Sequence, residues 1–122
     1  MKDISKYCVD ELQTIKEAVA VIHDNFSRCV VVLNADKSVI GVFSEGDVLR
    51  AVMNDMDIHT PLKKVVRPSF FYLTERDITK AYELVRKHGI SLVPIVDDRF
   101  HLKDVITIFE LIDHLALVND KT

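Results

Sequence analysis

The stretch Gly41-Val42-Phe43-Ser44-Glu45-Gly46-Asp47-Val48-Leu49-Arg50 decides how this chain reads. Its first half closes an apolar run, Val39 to Phe43, with strand composition. Ser44 followed by Asp47 is a capping pattern, a hydroxyl at the N-cap and an acid at the third helical position. The helix it opens is expected to run to about Asn54. A second passage, Asp104-Val105-Ile106-Thr107-Ile108-Phe109-Glu110, repeats the order of apolar pair, hydroxyl and acid. The offset is the same at other positions: Ile15 to Ile78, Ala18 to Ala81 and Leu33 to Val96 (78 − 15, 81 − 18 and 96 − 33 each give 63). Thr14 to Leu49 therefore maps onto Asp77 to Ile112 without a gap. Two copies of one small unit pack about a pseudo-two-fold axis, and the clefts between them are natural sites for small ligands.

Outward from this motif the local signals agree. Thr14 with Glu17 is a capping box for a helix carrying apolar residues at Ile15, Ala18, Val19 and Ile22, ending near Asn25. Cys29 to Leu33 is a β-branched strand, and Asn34 to Ser38 a turn. In the second copy, Asp77 or Thr74 caps a helix over Ile78 to His88, and Gly89 occupies the left-handed stop position. Leu92 to Val96 and His101 to Ile106 are the paired strands, and a last helix runs from Thr107 to about Leu117. Ile4 to Val9 and Phe70 to Leu73 read as extended lead-ins to the two copies. Thr60-Pro61 starts a short helix through Val66, with Pro at the first helical position. The organisation expected is a first repeat at 1–57, a joint at 58–69, a second repeat at 70–117 and a fraying tail at 118–122.

Composition narrows the function. The chain has 122 residues, one domain's worth, and each repeat alone is too small to fold comfortably. Charged residues make up 29% of the chain, both signs are interspersed and the net charge is −3, which argues against a nucleic-acid groove. No apolar stretch is long enough to span a membrane, and the N-terminus lacks a signal peptide's apolar middle. A cytoplasmic protein is expected, with Cys29 read as a small buried apolar residue. The five histidines show no metal-ligand spacing, and no Gly-rich phosphate loop, nucleophile elbow or Cys/His pair appears. An enzyme is not expected.

The duplicated order resembles the cystathionine β-synthase (CBS) domain, which usually occurs as a tandem pair. Gly41 to Asp47 is similar to that family's strand-to-helix motif of Gly, apolar residues, Ser or Thr, two variable positions and Asp. Gly89-Ile90-Ser91-Leu92-Val93-Pro94-Ile95-Val96-Asp97 is similar to its helix stop and following strand. Within the family, Ser44 to Thr60 looks most like pairs attached to sugar nucleotidyltransferases. The resemblance implies an α+β fold of two β-α-β-β-α repeats. It also implies a regulatory module that binds an adenosine ligand (AMP, ADP, ATP or S-adenosylmethionine) between the repeats, with no resident cofactor or metal. The ligand-binding residues that the motif implies are Ser44 and Asp47 with their counterparts Thr107 and Glu110, and Pro94 lies in the second matched segment; Arg50 and His88 are added as phosphate candidates, Arg50 being equally a surface ion contact of Asp47 and His88 equally a partner of the helix dipole.

Elementary chemistry fits this implication. A carboxylate such as Asp47 accepts two hydrogen bonds from a vicinal diol. Ser44 stands at a helix N-terminus, where free N–H groups attract phosphate. Arg28, Lys87 and His88 precede core strands and are further candidates for phosphate, while Phe70, Phe71 and Tyr72 either stack on a base or pack in the core. The second motif is altered: Asp104 replaces Gly41, and Glu110, one methylene longer, replaces Asp47. One working site is expected, around Ser44 and Asp47, with the other weak or empty. A competing reading is a ligand-free dimerisation or docking module, favoured by the damaged second motif and by Phe109, Ile112, Leu115 and Ala116 on one side of the last helix. A homodimer is expected in either case.

Overall fold

The computed structural model describes residues 3–120, and for 118–120 the backbone alone. The fold is α+β. In the first half, β1 (Cys8–Asp10) leads to α1 (Ile15–Asn25), the hairpin β2 (Cys29–Leu33) and β3 (Val39–Ser44), and α2 (Glu45–Met53). The second half gives α3 (Ile78–His88), β4 (Leu92–Val96), β5 (Leu102–Thr107) and α4 (Ile108–Asp120). β1 runs parallel to β2, β2 is antiparallel to β3, and β4 is antiparallel to β5.

Strand alternation distributes the core. Val30 and Val32 of β2 face a cluster with Ile15, Ala18 and Ile22 of α1. Val93 and Ile95 of β4 face Ala81 of α3 and Leu111 of α4 in the same way. The residues between them point oppositely: Cys29 and Val31 meet Leu92, Val96 and Val105 in a cluster drawn from both halves. Both sheets are thus covered on one face by their own helices and on the other by each other, so neither half completes its core alone. Hydrogen bonds tie the halves at two places, Ser91 Oγ donating to Ser27 O at 2.5 Å and Val39 N to Phe100 O at 2.7 Å.

Helix ends follow local chemistry. Thr14 and Ser44 both form complete capping boxes, with Glu17 and Asp47 respectively, and Asp77 caps α3 by accepting from Lys80 N–H. Gly89 closes α3 at φ 66. Its counterpart 63 positions earlier, Phe26, takes nearly the same left-handed conformation at φ 58 while remaining exposed.

Four expectations are corrected. The first lead-in opens as a 3-10 turn over Ile4–Tyr7 rather than extended chain, because Asp3 accepts from both Ser5 N–H and Ser5 Oγ. The second, Phe70 to Leu73, is not a strand: Leu73 alone bridges to Ile95. Leu73 N–H donates to Pro94 O and Val96 N–H to Leu73 O. The next bond in a parallel ladder needs the N–H of residue 94, which proline lacks, so pairing stops there. The short helix after Pro61 is a 3-10 turn, Leu62–Lys64, with Pro61 as its uncapped lead residue. α4 continues past Leu117 to Asp120, since no Gly or Pro interrupts Val118-Asn119-Asp120. The rest of the tail, residues 121–122, lies outside the described residues.

Candidate functional site

A groove of about 490 Å³ lies between the two halves, within the size range of small-molecule pockets. One wall is the corner from β3 into α2. Ser44 turns the chain there with extended backbone, φ −112 and ψ 171, and its hydroxyl accepts from Asp47 N–H at 3.3 Å. Asp47 answers through Oδ2, which accepts from Ser44 N–H at 2.8 Å and Ser44 Oγ at 3.1 Å. Oδ1 accepts from Arg50 Nη2 at 2.5 Å. Glu45 N–H donates to Arg28 O, which ties the start of α2 to the segment before β2.

The opposite wall comes from the second half. His88, at the end of α3, stacks on Phe71 with ring centroids 4.0 Å apart and planes 18° from parallel. Gly89 to Leu92 continue this wall. Cys29, Val42 and Leu92 supply apolar surface between the walls. Burial pushes the Cys29 thiol up to about 12, with the Asp47 charge adding to the rise, so this cysteine stays a neutral apolar residue.

The third side is the segment between α2 and residue 70, which contributes Arg67 and Ser69. Gly41 explains how it comes so close. A Cβ on Gly41 would stand 2.6 Å from Val66 Cγ2 and 2.7 Å from the Arg67 carbonyl oxygen. The glycine of the motif therefore makes room for the chain's own connecting segment, and that segment delivers Arg67 to the groove. Arg28, Arg50 and Arg67 thus line the groove with His88, beside Glu45 and Asp47. This balance suits an anionic ligand.

The structure brings Ser44, Asp47, Arg50 and His88 together, with Arg28, Phe70 and Phe71. It places the remaining three expected residues elsewhere. Pro94 is fully buried in β4, opposite Val105. Thr107 is buried and accepts from Glu110 N–H at 3.3 Å, which makes it the hydroxyl cap of α4. Glu110 accepts from Arg76 Nη2, and Asp104 accepts from Arg76 Nη1 at 3.0 Å, so one arginine spans both altered positions of the second motif. Lys87 is exposed and outside the groove lining, and Tyr72 packs against Phe70 and Phe100. Arg67, Ser69 and Arg76 carried no motif; their roles depend on where the connecting segments run. Among the described residues no group of three His, Cys, Asp or Glu side chains could hold a metal ion, and no helix is long and apolar enough to cross a membrane.

The family model for the CBS domain matches residues 1–54 and 62–117, one match in each half. The chain belongs to the CBS-domain family. This CBS pair also superposes on solved CBS structures. It matches a CBS domain protein from Pyrobaculum aerophilum complexed with AMP at TM-score 0.73 and 24% identity, over 96% of this chain and 99% of the other. The CBS domains of a transcriptional regulator from Streptococcus pneumoniae match at TM-score 0.76 and 22% identity, over 92% of each chain. At these identities the likeness establishes the fold. Among curated proteins, the CBS pair is 24% identical over 102 residues to an uncharacterized protein of Helicobacter pylori (strain J99 / ATCC 700824), covering 82% of this chain and 31% of that one. It is 26% identical over 106 residues to an uncharacterized 17.7 kDa protein of Acidianus ambivalens, covering 86% of this chain and 64% of that one. The chain therefore spans less than two thirds of the length of these relatives.

Proposed function

We propose that this CBS pair is a regulatory module that binds an adenine nucleotide in the groove between its halves and has no catalytic activity of its own. The observation that carries the proposal is the convergence of Asp47, buried enough to be directional, with Arg28, Arg67 and His88 from three other segments on one groove. A diol acceptor beside Arg28 and Arg67 suits a ribose phosphate, and the apolar surface of Cys29, Val42 and Leu92 suits a flat base. The AMP complex of the Pyrobaculum relative supports the ligand class. AMP, ADP and ATP fit this charge balance better than S-adenosylmethionine, which carries a cationic sulfur and no phosphate. The site consists of Ser44, Asp47, Arg50 and His88 with Arg28 and Arg67. Thr107 and Glu110 belong to the second half's motif, where Thr107 is buried and Asp104, an added negative charge, stands in place of the motif glycine, so one nucleotide binds per chain. The likeness to pairs attached to sugar nucleotidyltransferases rests on Ser44 to Thr60 alone.

A second observation favours self-association. Leu49, Val52 and Met53 on α2 are exposed, as are Phe109, Ile112 and Leu115 on α4. Apolar rows on the outer helices of both halves suit a homodimer, and without a ligand the same faces would make the pair a docking module. Calorimetric titration of the protein with AMP, ADP, ATP and S-adenosylmethionine, with light scattering for mass, tests both readings. Saturable binding of an adenine nucleotide near one per chain is expected. Silence across the four ligands with a stable dimer would replace the nucleotide reading with docking.

A further inference from the structure

The turn that joins α1 to β2 carries two left-handed residues with side chains, Phe26 at φ 58 and Arg28 at φ 59. In the second half Gly89 takes that conformation, and Ser91, the counterpart of Arg28 (91 − 28 = 63), stays out of it. A Cβ disfavours the left-handed region, so the first turn persists only because its surroundings fix it. Between its two left-handed residues, Ser27 is 1% exposed. The Ser27 hydroxyl finds no hydrogen-bond partner among the described residues, a further cost that the turn carries.

Hydrogen bonds fix the turn from both sides. Asn25 brackets it: Oδ1 accepts from Ser27 N–H at 2.8 Å, and Nδ2 donates to Cys29 O at 3.0 Å. Ser91 Oγ donates to Ser27 O, and Glu45 N–H donates to Arg28 O at 3.0 Å. The φ of Arg28 is the rotation between the peptide that carries Ser27 O and the carbonyl carbon of Arg28. The last two bonds therefore grip that rotation at either end. The Asn25 bonds lie within the first half, whereas the Ser91 bond crosses between the halves. A displacement of the second half that breaks it frees Arg28 to return to negative φ, which carries the Arg28 carbonyl away from Glu45 N–H. Glu45 is the first residue of α2 and follows Ser44 directly. We propose that Phe26–Ser27–Arg28 is a strained hinge, latched across the seam by the Ser91 hydroxyl, through which the second half holds the Ser44–Asp47 corner of the groove. Ser91 is thus a positioning residue, and its link to a ligand rests on the nucleotide reading of the groove.

Amide hydrogen exchange, read by NMR on the wild-type chain, Ser91→Ala and Ser91→Thr, tests the latch. Ser91→Ala is expected to speed exchange at Glu45 about tenfold, the loss of one hydrogen bond's protection. Ile108 should stay unchanged, because its N–H donates to the Ser91 backbone oxygen, which alanine keeps. Ser91→Thr should restore protection at Glu45. Adding Arg28→Gly to Ser91→Ala should restore it too, since glycine holds a positive φ without a latch. Equal acceleration at both amides, no change at Glu45, or a glycine that restores nothing overturns the hinge. AMP titrated calorimetrically into the same proteins is expected to bind Ser91→Ala about fivefold more weakly than wild type and Ser91→Thr as tightly. Unchanged AMP affinity in Ser91→Ala, beside the expected exchange pattern, overturns the link to the groove. A wild-type chain that binds no AMP overturns the nucleotide reading, and the exchange pattern still decides the hinge.

Discussion

Replacing Asp47 by Ala separates the two roles that its geometry combines. The substitution removes the acceptor for Ser44 N–H and Ser44 Oγ and the partner of Arg50. Loss of one side of a capping box costs about 1 kcal/mol of stability. The half-exposed ion pair with Arg50 adds a few tenths of a kcal/mol at most. For a domain of this size the melting temperature should fall by about 4 °C. Affinity responds on a different scale. Hydrogen bonds to a charged acceptor contribute about 1.5–3 kcal/mol each, so losing one or two should weaken AMP by about tenfold to a hundredfold or more. Ser44→Ala is the matched control, because it removes the hydroxyl half of the same cap and leaves the carboxylate. It should lower the melting temperature by a similar amount and affect AMP binding less. Calorimetry with differential scanning on the three proteins reads both quantities. An Asp47→Ala chain that melts lower but binds AMP with wild-type affinity would refute the reasoning and leave Asp47 as a cap alone.

Two further outcomes follow from close contacts and burial. Gly41→Ala places a methyl group against the Arg67 carbonyl oxygen, which cannot rotate away, and should cost about 1–3 kcal/mol in urea unfolding; a cost within experimental error would mean that the connecting segment shifts freely. Cys29, its thiol pushed up to about 12, should resist iodoacetamide at pH 8 in the folded chain and react fully in denaturant, with the less buried Cys8, at about 11, modified first. Mass spectrometry of the alkylated peptides checks the order, and equal rates in the folded chain would contradict the burial of Cys29.

The parts of the fold legible in the sequence are those set by bonds between near neighbours. Thr14 with Glu17 and Ser44 with Asp47 close their boxes across three positions, Gly89 ends α3 because its φ is positive, and the β-branched runs at 29–33 and 92–96 alternate between two buried faces. The left-handed turn at Phe26 was not legible, since a bulky residue takes that conformation only when the surrounding fold imposes it. The failed strand at 70–73 was hidden for a related reason: the deciding proline sits in the partner strand, not in the segment itself.

The candidate site divides the same way. Repetition at a constant offset was enough to establish two half-domains, and the motif residues Ser44 and Asp47 could be named because capping chemistry is local. Only the folded chain decided that Arg67 joins them, since its approach depends on the missing side chain of Gly41. Only the folded chain set Arg76 across Asp104 and Glu110, 28 and 34 positions away. Such pairings depend on where distant segments meet, and a linear order of residues carries periodicity and caps but not the distance between side chains.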